Sequence, residues 1–289
     1  MLNDPISVVI PCFNEEESVA DVLAEVHAKL NSVGVPFEII VVNDGSSDRT
    51  PEILAASSCV DHVIHHRLNR GYGASIKAGV GRAKHDFILI MDADGQHDPE
   101  SLPDLLRETE AADMVIGARQ EQGSHHWRVP GKMLLTLVSE ILVGRSIPDI
   151  NSGLRLIRKS ELLRHMHLCS DQFSFSASST LAFMSDRLPV SFVPIHIRPR
   201  KTGKSHVSLS TGFATFMLIL RIIGTFNPLK IFMPPAIALF LVGSVMLVWG
   251  LAIRNITDVT ILCLVSSMLL FCFGLLADQM ALLRRQINK

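Results

Sequence analysis

Asp92-Ala93-Asp94 is the sharpest chemical signal in the chain, because two carboxylates spaced by one residue can share a hard cation and the diphosphate oxygens it neutralises. Alone, such a pair is more often a solvated turn. Here it follows the apolar run from Phe87 to Met91 and precedes Gly95-Gln96-His97-Asp98-Pro99-Glu100, so it comes directly off a buried strand. Gln96 offers a further oxygen ligand, whereas His97 and Asp98 read as supporting or capping groups. An oxygen-only set suits Mg²⁺ or Mn²⁺ and does not suit zinc. Asn43-Asp44-Gly45-Ser46-Ser47-Asp48 places another acid at a strand end. An Asx turn capping the next helix and a carboxylate accepting hydrogen bonds from a base or ribose are both compatible with it. Glu15 or Glu16, after Pro11-Cys12-Phe13-Asn14, can do the same from the neighbouring loop.

Other patterns imitate known sites and fail on detail. Arg70-Gly71-Tyr72-Gly73-Ala74-Ser75 opens a helix with glycines, but the third glycine of a dinucleotide fingerprint is replaced by Ile76 and the motif comes late in the sheet. Thr202-Gly203-Lys204-Ser205 looks like the end of a phosphate loop, yet Arg198 stands where its first glycine should be. His62, His65, His66, His125, His126, His165 and His167 read as surface or packing residues, and Cys12 as a small residue in a turn.

The elements that must position these groups alternate. Ile6 to Ile10 reads as a strand stopped by Pro11, and Val19, Val22, Leu23, Val26 and Leu30 mark a helix. Glu38 to Val42 is a second strand, Thr50 to Ala56 a helix with Pro51 in its first turn, and Val60 to His65 a weaker strand. Gly73 to Ala83 and Trp127 to Val143 read as helices. Phe87 to Met91, Met114 to Gly117, Leu154 to Ile157 and Val190 to Ile197 read as strands, the last broken by Pro194. This alternation implies a mostly parallel sheet with function at the carboxyl ends of its strands.

The composition divides the chain in two. With 27 basic and 28 acidic residues there is no basic field to attract nucleic acid. The five cysteines include no CxxC pair, which argues against a disulfide framework or zinc cage. The amino terminus has no secretory pattern, so the globular part is expected in the cytosol. Residues 1–205 are expected to form that part. Residues 206–230 read as interfacial amphipathic helices, with an ordinary core helix as the alternative for Leu209 to Phe226. Residues 231–289 are expected to hold two transmembrane helices, about 231–253 and 259–277, and a short basic tail. Arg221, Lys230, Arg284, Arg285 and Lys289 flank the pair and only Arg254 lies in its turn, so both ends are expected in the cytoplasm.

The segments VVIPCFNEEE, VVNDGSSDRT, NRGYGASIKAG and MDADGQHDPE resemble, in order and spacing, the family 2 inverting glycosyltransferases of GT-A fold. The resemblance is to polyprenyl-phosphate sugar synthases such as dolichol-phosphate mannose synthase and bacterial polyprenyl-phosphate glucosyltransferases, and covers roughly residues 5–205. It implies an α/β, Rossmann-like nucleotide-diphospho-sugar transferase domain, followed here by interfacial helices and a two-helix transmembrane hairpin. It implies donor binding by Pro11, Asn14, Glu15, Asp44, Gly71, Lys77 and Asp92, and metal binding by Asp92, Asp94 and Gln96. Gly117-Ala118-Arg119 and Asp149-Ile150-Asn151-Ser152-Gly153-Leu154-Arg155 look like lipid-phosphate elements. By that likeness Arg119, Arg128, Ser152, Arg155, Arg200 and Lys204 would grip the acceptor phosphate, with Arg198 in the same basic segment. Cationic residues lying at a membrane surface are the competing reading of each.

The implied partners are a nucleotide-sugar of GDP-mannose or UDP-glucose type, an undecaprenyl or dolichyl phosphate and membrane lipid, with Mg²⁺ or Mn²⁺ as cofactor and a homo-oligomer left open. Relatives that glycosylate hydroxyls tend to carry an acidic base where this chain reads Gln172-Phe173-Ser174-Phe175-Ser176, and the QxxRW motif of processive synthases is missing. A phosphate monoester, whose second pKa is about 6, needs no such base. Asp149 and Asp171 remain candidates for a displaced base. A lipid or sugar hydroxyl acceptor, or a catalytically silent nucleotide-sugar-binding scaffold, are the alternatives.

Overall fold

The computed structural model describes residues 4–119, 129–172, 174–198, 226 and 228–287. It divides into two compact units, residues 1–129 with 146–208 and residues 130–145 with 209–289.

The first unit is built on a seven-stranded sheet in the order β3-β2-β1-β4-β6-β5-β7. Its strands are β1 (Ile6–Cys12), β2 (Phe37–Asn43), β3 (His62–His65), β4 (Phe87–Ile90), β5 (Met114–Arg119), β6 (Arg155–Arg158) and β7 (Val190–Ile195). β1 pairs in parallel with β2 and β4, β2 with β3, and β5 with β7, while β6 runs antiparallel to β4 and β5. The carboxyl ends of six strands and the amino end of β6 therefore share one rim.

Both faces of the sheet are covered, which is why β1, β2 and β4 read as continuous apolar runs. Val8, Ile10, Ile39, Val41 and Leu89 pack with Val22, Leu23, Val26 and Leu30 of α1 (Val19–Val33), Leu54 of α2 (Thr50–Ala56) and Leu105 of α4 (Leu102–Arg107). Val9, Ile40, Ile88 and Ile90 pack on the other face with Ile76 and Val80 of α3 (Tyr72–Arg82), Leu162 of α6 (Lys159–His165) and Phe175 and Phe183 of α7 (Phe175–Ser185). Alternate residues of one strand thus serve opposite cores.

Neither proline ends its strand. Val9 accepts from Met91 N–H, so Pro11 also faces the β4 side, beyond the last β4 pairing at Ile90, where its missing donor costs nothing. Pro194 lies opposite Ala118 in β7, and an edge strand has a free side for a residue without N–H.

The second unit contains α5 (Val129–Val143), α8 (Pro228–Ala252) and α9 (Asp258–Ile287). α5, read from sequence as part of residues 1–205, thus groups with the carboxyl-terminal helices, and Lys230 Nζ donates to Leu142 O. Leu134, Leu137 and Ile141 leave α5 with exposed apolar side chains. Apolar stretches of 25 and 26 residues, mean hydropathy 2.3 and 2.5, are long enough to cross a membrane, about 38 and 39 Å as helices. Gly243 and Gly274 lie where α8 and α9 touch, against Leu264 and Phe232. α9 continues well past the expected end at 277, through Asp278. Of the interfacial segment 206–230, residues 206–225 and 227 lie outside the described residues.

Candidate active site

The strand β4 delivers Asp92 to the rim, where three neighbours hold its carboxylate. Tyr72 Oη donates to Oδ1 at 2.8 Å, His97 Nε2 lies 3.4 Å from Oδ2, and the Cα of Gly153 presses so closely that any Cβ there would strike the carboxylate. Burial alone would raise the Asp92 carboxyl; the His97 and Tyr72 contacts and the Arg119 charge outweigh it and keep it below the usual range. Ala93 O, between the two acids, accepts from Ser18 Oγ at 2.8 Å, which ties the turn to the start of α1. Asp94 Oδ1 accepts from Gln96 N–H at 3.1 Å and Asp98 caps the short turn that follows, as its sequence position suggested.

The loops after β1 and β2 interlock. Asn14, in the left-handed region at φ 54°, accepts from Ser47 N–H at 2.8 Å, and its own N–H donates to Ser46 Oγ. Glu15 N–H donates to Thr50 Oγ1 and Glu15 Oε2 accepts from Ser18, while Pro11 is buried within β1. Asp44, 3% exposed, accepts from His66 Nδ1 at 2.6 Å and from the N–H groups of Arg70 and Gly71 at 2.9 and 2.8 Å. Burial pushes its carboxyl up, and these three bonds together bring it below the usual range. Asp44 therefore shapes the glycine turn ahead of α3 with most of its lone pairs, and the contact to a nucleoside that the resemblance implies would be made beside these bonds. Gly71 has φ 103°, and a Cβ there would come within 2.8 Å of Asp171 O. Lys77, which the resemblance places at the donor, donates to Cys169 O and to Asp171 Oδ1, each at 2.7 Å.

At the other end of the rim, Arg119 closes a two-pronged pair with Asp149: Nε to Oδ2 at 2.6 Å and Nη2 to Oδ1 at 2.9 Å. The Asp149 bond, set against burial and aided by the charges of Asp92 and Asp94, raises the Arg119 guanidinium. Ser152 is fully buried, and its Oγ has no partner among the described residues.

Arg155, expected to grip a phosphate, has its side-chain donors turned onto the protein itself. It is fully buried, with Nε donating to Ser152 O, Nη2 to Ile150 O and Nη1 to Thr180 Oγ1 and Ser179 Oγ. Burial brings its guanidinium down to about 10, against the opposing influence of Tyr72, Asp149 and Asp92, so it stays charged at neutral pH. Arg198 is likewise occupied, bridging Glu25 and Asp98 at 2.6 and 3.0 Å. Arg128, Arg200 and Lys204 lie outside the described residues.

Among the described residues no three His, Cys, Asp or Glu side chains form a metal cage. The donor set nevertheless fits a hard cation. Magnesium-like ions take one or two carboxylates and complete their shell with phosphate oxygens and water, and Asp92, Asp94 and Gln96 supply that kind of partial set. Sequence reasoning missed Tyr72 and His66 because each acts through a contact between distant loops. Tyr72 sits in a glycine motif judged only against nucleotide fingerprints, and a phenol between two glycines at a helix start was the available signal.

The sheet and its rim are those of the GT-A fold. Glucosyl-3-phosphoglycerate synthase from Mycobacterium tuberculosis, solved with Mn²⁺, UDP-glucose and phosphoglyceric acid, gives a TM-score of 0.62 at 20% identity over 76% of this chain and 79% of that one. The form with Mn²⁺, UDP and phosphoglyceric acid gives 0.63 at 18% identity over 76% and 78%. Residues 7–172 match the family described as glycosyl transferase family 2, and residues 227–283 match the GtrB C-terminal hairpin. The undecaprenyl-phosphate 4-deoxy-4-formamido-L-arabinose transferase of Edwardsiella ictaluri (strain 93-146) is 31% identical over 86% of this chain and 74% of its own length. That of Salmonella enteritidis PT4 (strain P125109) is 30% identical over the same shares. The chain belongs to glycosyl transferase family 2, as its four motifs suggested.

Proposed function

We propose that this glycosyltransferase moves a hexose from a GDP- or UDP-sugar to a polyprenyl phosphate at the cytoplasmic face of a membrane, with inversion. The observation that carries the reading is that both carboxylates considered as bases are ion-paired, Asp149 with Arg119 and Asp171 with Lys77. A hydroxyl acceptor needs a proton acceptor, whereas a phosphate arrives ionised and needs cations. The names of the two relatives, both undecaprenyl-phosphate sugar transferases, and the hairpin match support the same acceptor class.

In this reading a phosphate oxygen bonds to the anomeric carbon as the bond from that carbon to the nucleoside diphosphate breaks, so no covalent enzyme intermediate forms. A bound Mg²⁺ or Mn²⁺ would neutralise the departing diphosphate. Asp92, Asp94 and Gln96 would hold that ion, and Asn14, Glu15 and the loop shaped by Asp44 would border the nucleoside. Arg119, with one edge fixed by Asp149, would turn its Nη1 side to the acceptor phosphate, and Arg128, Arg200 and Lys204 are the further cations assigned to it. The hairpin, with Arg221, Lys230, Arg284 and Arg285 at its two ends, would place both ends in the cytoplasm, so that the site meets a head group whose chain stays in the bilayer.

The test is transfer of radiolabelled sugar from a panel of UDP- and GDP-sugars into extractable lipid with Mg²⁺ or Mn²⁺. One donor should give an acid-labile, EDTA-sensitive product that Asp94→Ala abolishes. Nucleotide-sugar binding without transfer to polyprenyl phosphate would replace this acceptor with a hydroxyl, or leave a silent scaffold.

A further inference from the structure

α7 is a core helix with an unusual inner face. Ser176, Ser179 and Thr180, at i, i+3 and i+4, are all buried, and a hydroxyl in an apolar core is costly unless it is bonded. Each is bonded, and the bonds close a ring under the rim. Ser176 donates to the Tyr72 phenolic oxygen, and Tyr72 donates to Asp92 Oδ1 at 2.8 Å. One turn further along α7, Thr180 Oγ1 and Ser179 Oγ accept from Arg155 Nη1 at 2.7 and 3.3 Å. Arg155 Nε reaches Ser152 O at 2.7 Å, and the next residue, Gly153, rests on the Asp92 carboxylate. The ring thus starts and ends at Asp92. Tyr72 is the only tyrosine of the chain, and its hydroxyl is the one side-chain bond of the ring made to Asp92 itself.

We propose that Tyr72 is a positioning residue: its hydroxyl, held from α7 by Ser176, fixes the Asp92 carboxylate for a divalent cation. A carboxylate oxygen has two lone pairs, so Oδ1 can keep the phenol and still face an ion. Hydrogen bonds to a metal-binding carboxylate orient it before the ion arrives, and losing one typically weakens metal affinity about 10- to 100-fold. Arg155 acts at the opposite side of the same ring, holding the 150–153 turn in place. The inference rests on the proposed cation site and extends it to residues that touch no substrate.

The test uses the full chain in detergent, titrated with Mn²⁺ alone and followed by loss of the aqueous Mn²⁺ signal in electron paramagnetic resonance. Tyr72→Phe keeps the ring and removes the hydroxyl; it should weaken Mn²⁺ binding about 10- to 100-fold with an unchanged unfolding midpoint. Ser176→Ala, which leaves the phenol in place, should shift binding the same way by less. Mn²⁺ affinity equal to or tighter than wild type in Tyr72→Phe overturns the proposal, as does a wild-type chain that takes up no Mn²⁺ or a variant that loses only thermal stability. Sugar transfer is measured separately: a wild-type chain that binds Mn²⁺ yet transfers nothing to polyprenyl phosphate overturns the proposed reaction, while the titration alone decides the role of Tyr72.

Discussion

The two halves of the sheet handle charge at the rim in opposite ways. Toward β2, β1 and β4 the charges at the rim are acids, Asp44 and Asp92, satisfied by two histidines, a phenol and backbone N–H groups. Toward β6 and β5 they are arginines, Arg119 and Arg155, satisfied by one carboxylate, carbonyls and hydroxyls. The acidic half commits much of its donor supply to its own carboxylates and so suits a diphosphate carried by a cation. The basic half suits an anion that arrives without one. In the proposed reaction, two negatively charged reactants would thus meet oppositely prepared surfaces.

Where the halves touch, at Gly153 on Asp92, the largest effect is expected. Gly153→Ala puts a methyl group on the carboxylate, and a displacement of that size costs transfer on the order of 10²-fold with the fold retained; single-turnover rates check this. Wild-type rates would mean that the halves need not meet there.

The next effect separates charge from geometry on the basic side. Arg119→Ala leaves Asp149 buried without its cation and should lower unfolding stability by about 3–5 kcal/mol in denaturant melts. Arg119→Lys should recover much of that stability while transfer stays impaired, because a point charge does not reproduce the two-pronged pair.

The acidic side should show itself in pH dependence. Asp44 and Asp92 have folded-state values below their unfolded ones, near 3.9, so their stabilisation is complete above that pH and is lost as pH falls through the depressed values. Thermal midpoints should be insensitive to these groups from pH 7 down to about pH 4 and fall below it, and Asp44→Asn should flatten that acid limb.

The smallest effect lies at the far rim. Glu38 accepts from Ser7 Oγ at 2.6 Å and Lys84 N–H at 2.7 Å, where the amino ends of β1 and β2 lie. Glu38→Gln should cost about 1 kcal/mol and leave transfer unchanged.

Most of the sheet was legible because its strands are short apolar runs bounded by turn residues, and the acids were legible because they stand directly at strand ends. Pro11 and Pro194 misled, since whether a proline breaks a strand depends on which side its absent N–H faces, and that is decided by neighbours distant in sequence. The burial of Arg155 was illegible for the same reason. An arginine next to a motif reads as a ligand until the helix that buries it, some 25 residues on, is in place. α5 was legible as a helix but not as a companion of α8, because its apolar face looks like that of any core helix.

The reversed direction of β6 has a consequence for how the chain is threaded. β5 ends and β6 begins on the same rim, so the stretch between them leaves the first unit, supplies α5 to the second and returns to where it started. Arg119 and Asp149, 30 residues apart in sequence, are the clasp on that excursion. Closing a loop costs only about 0.6 kcal/mol for each doubling of its length, so the clasp leaves the excursion free to lengthen, shorten or be exchanged. The excursion that supplies α5 can therefore change in length without disturbing the strands on either side of it.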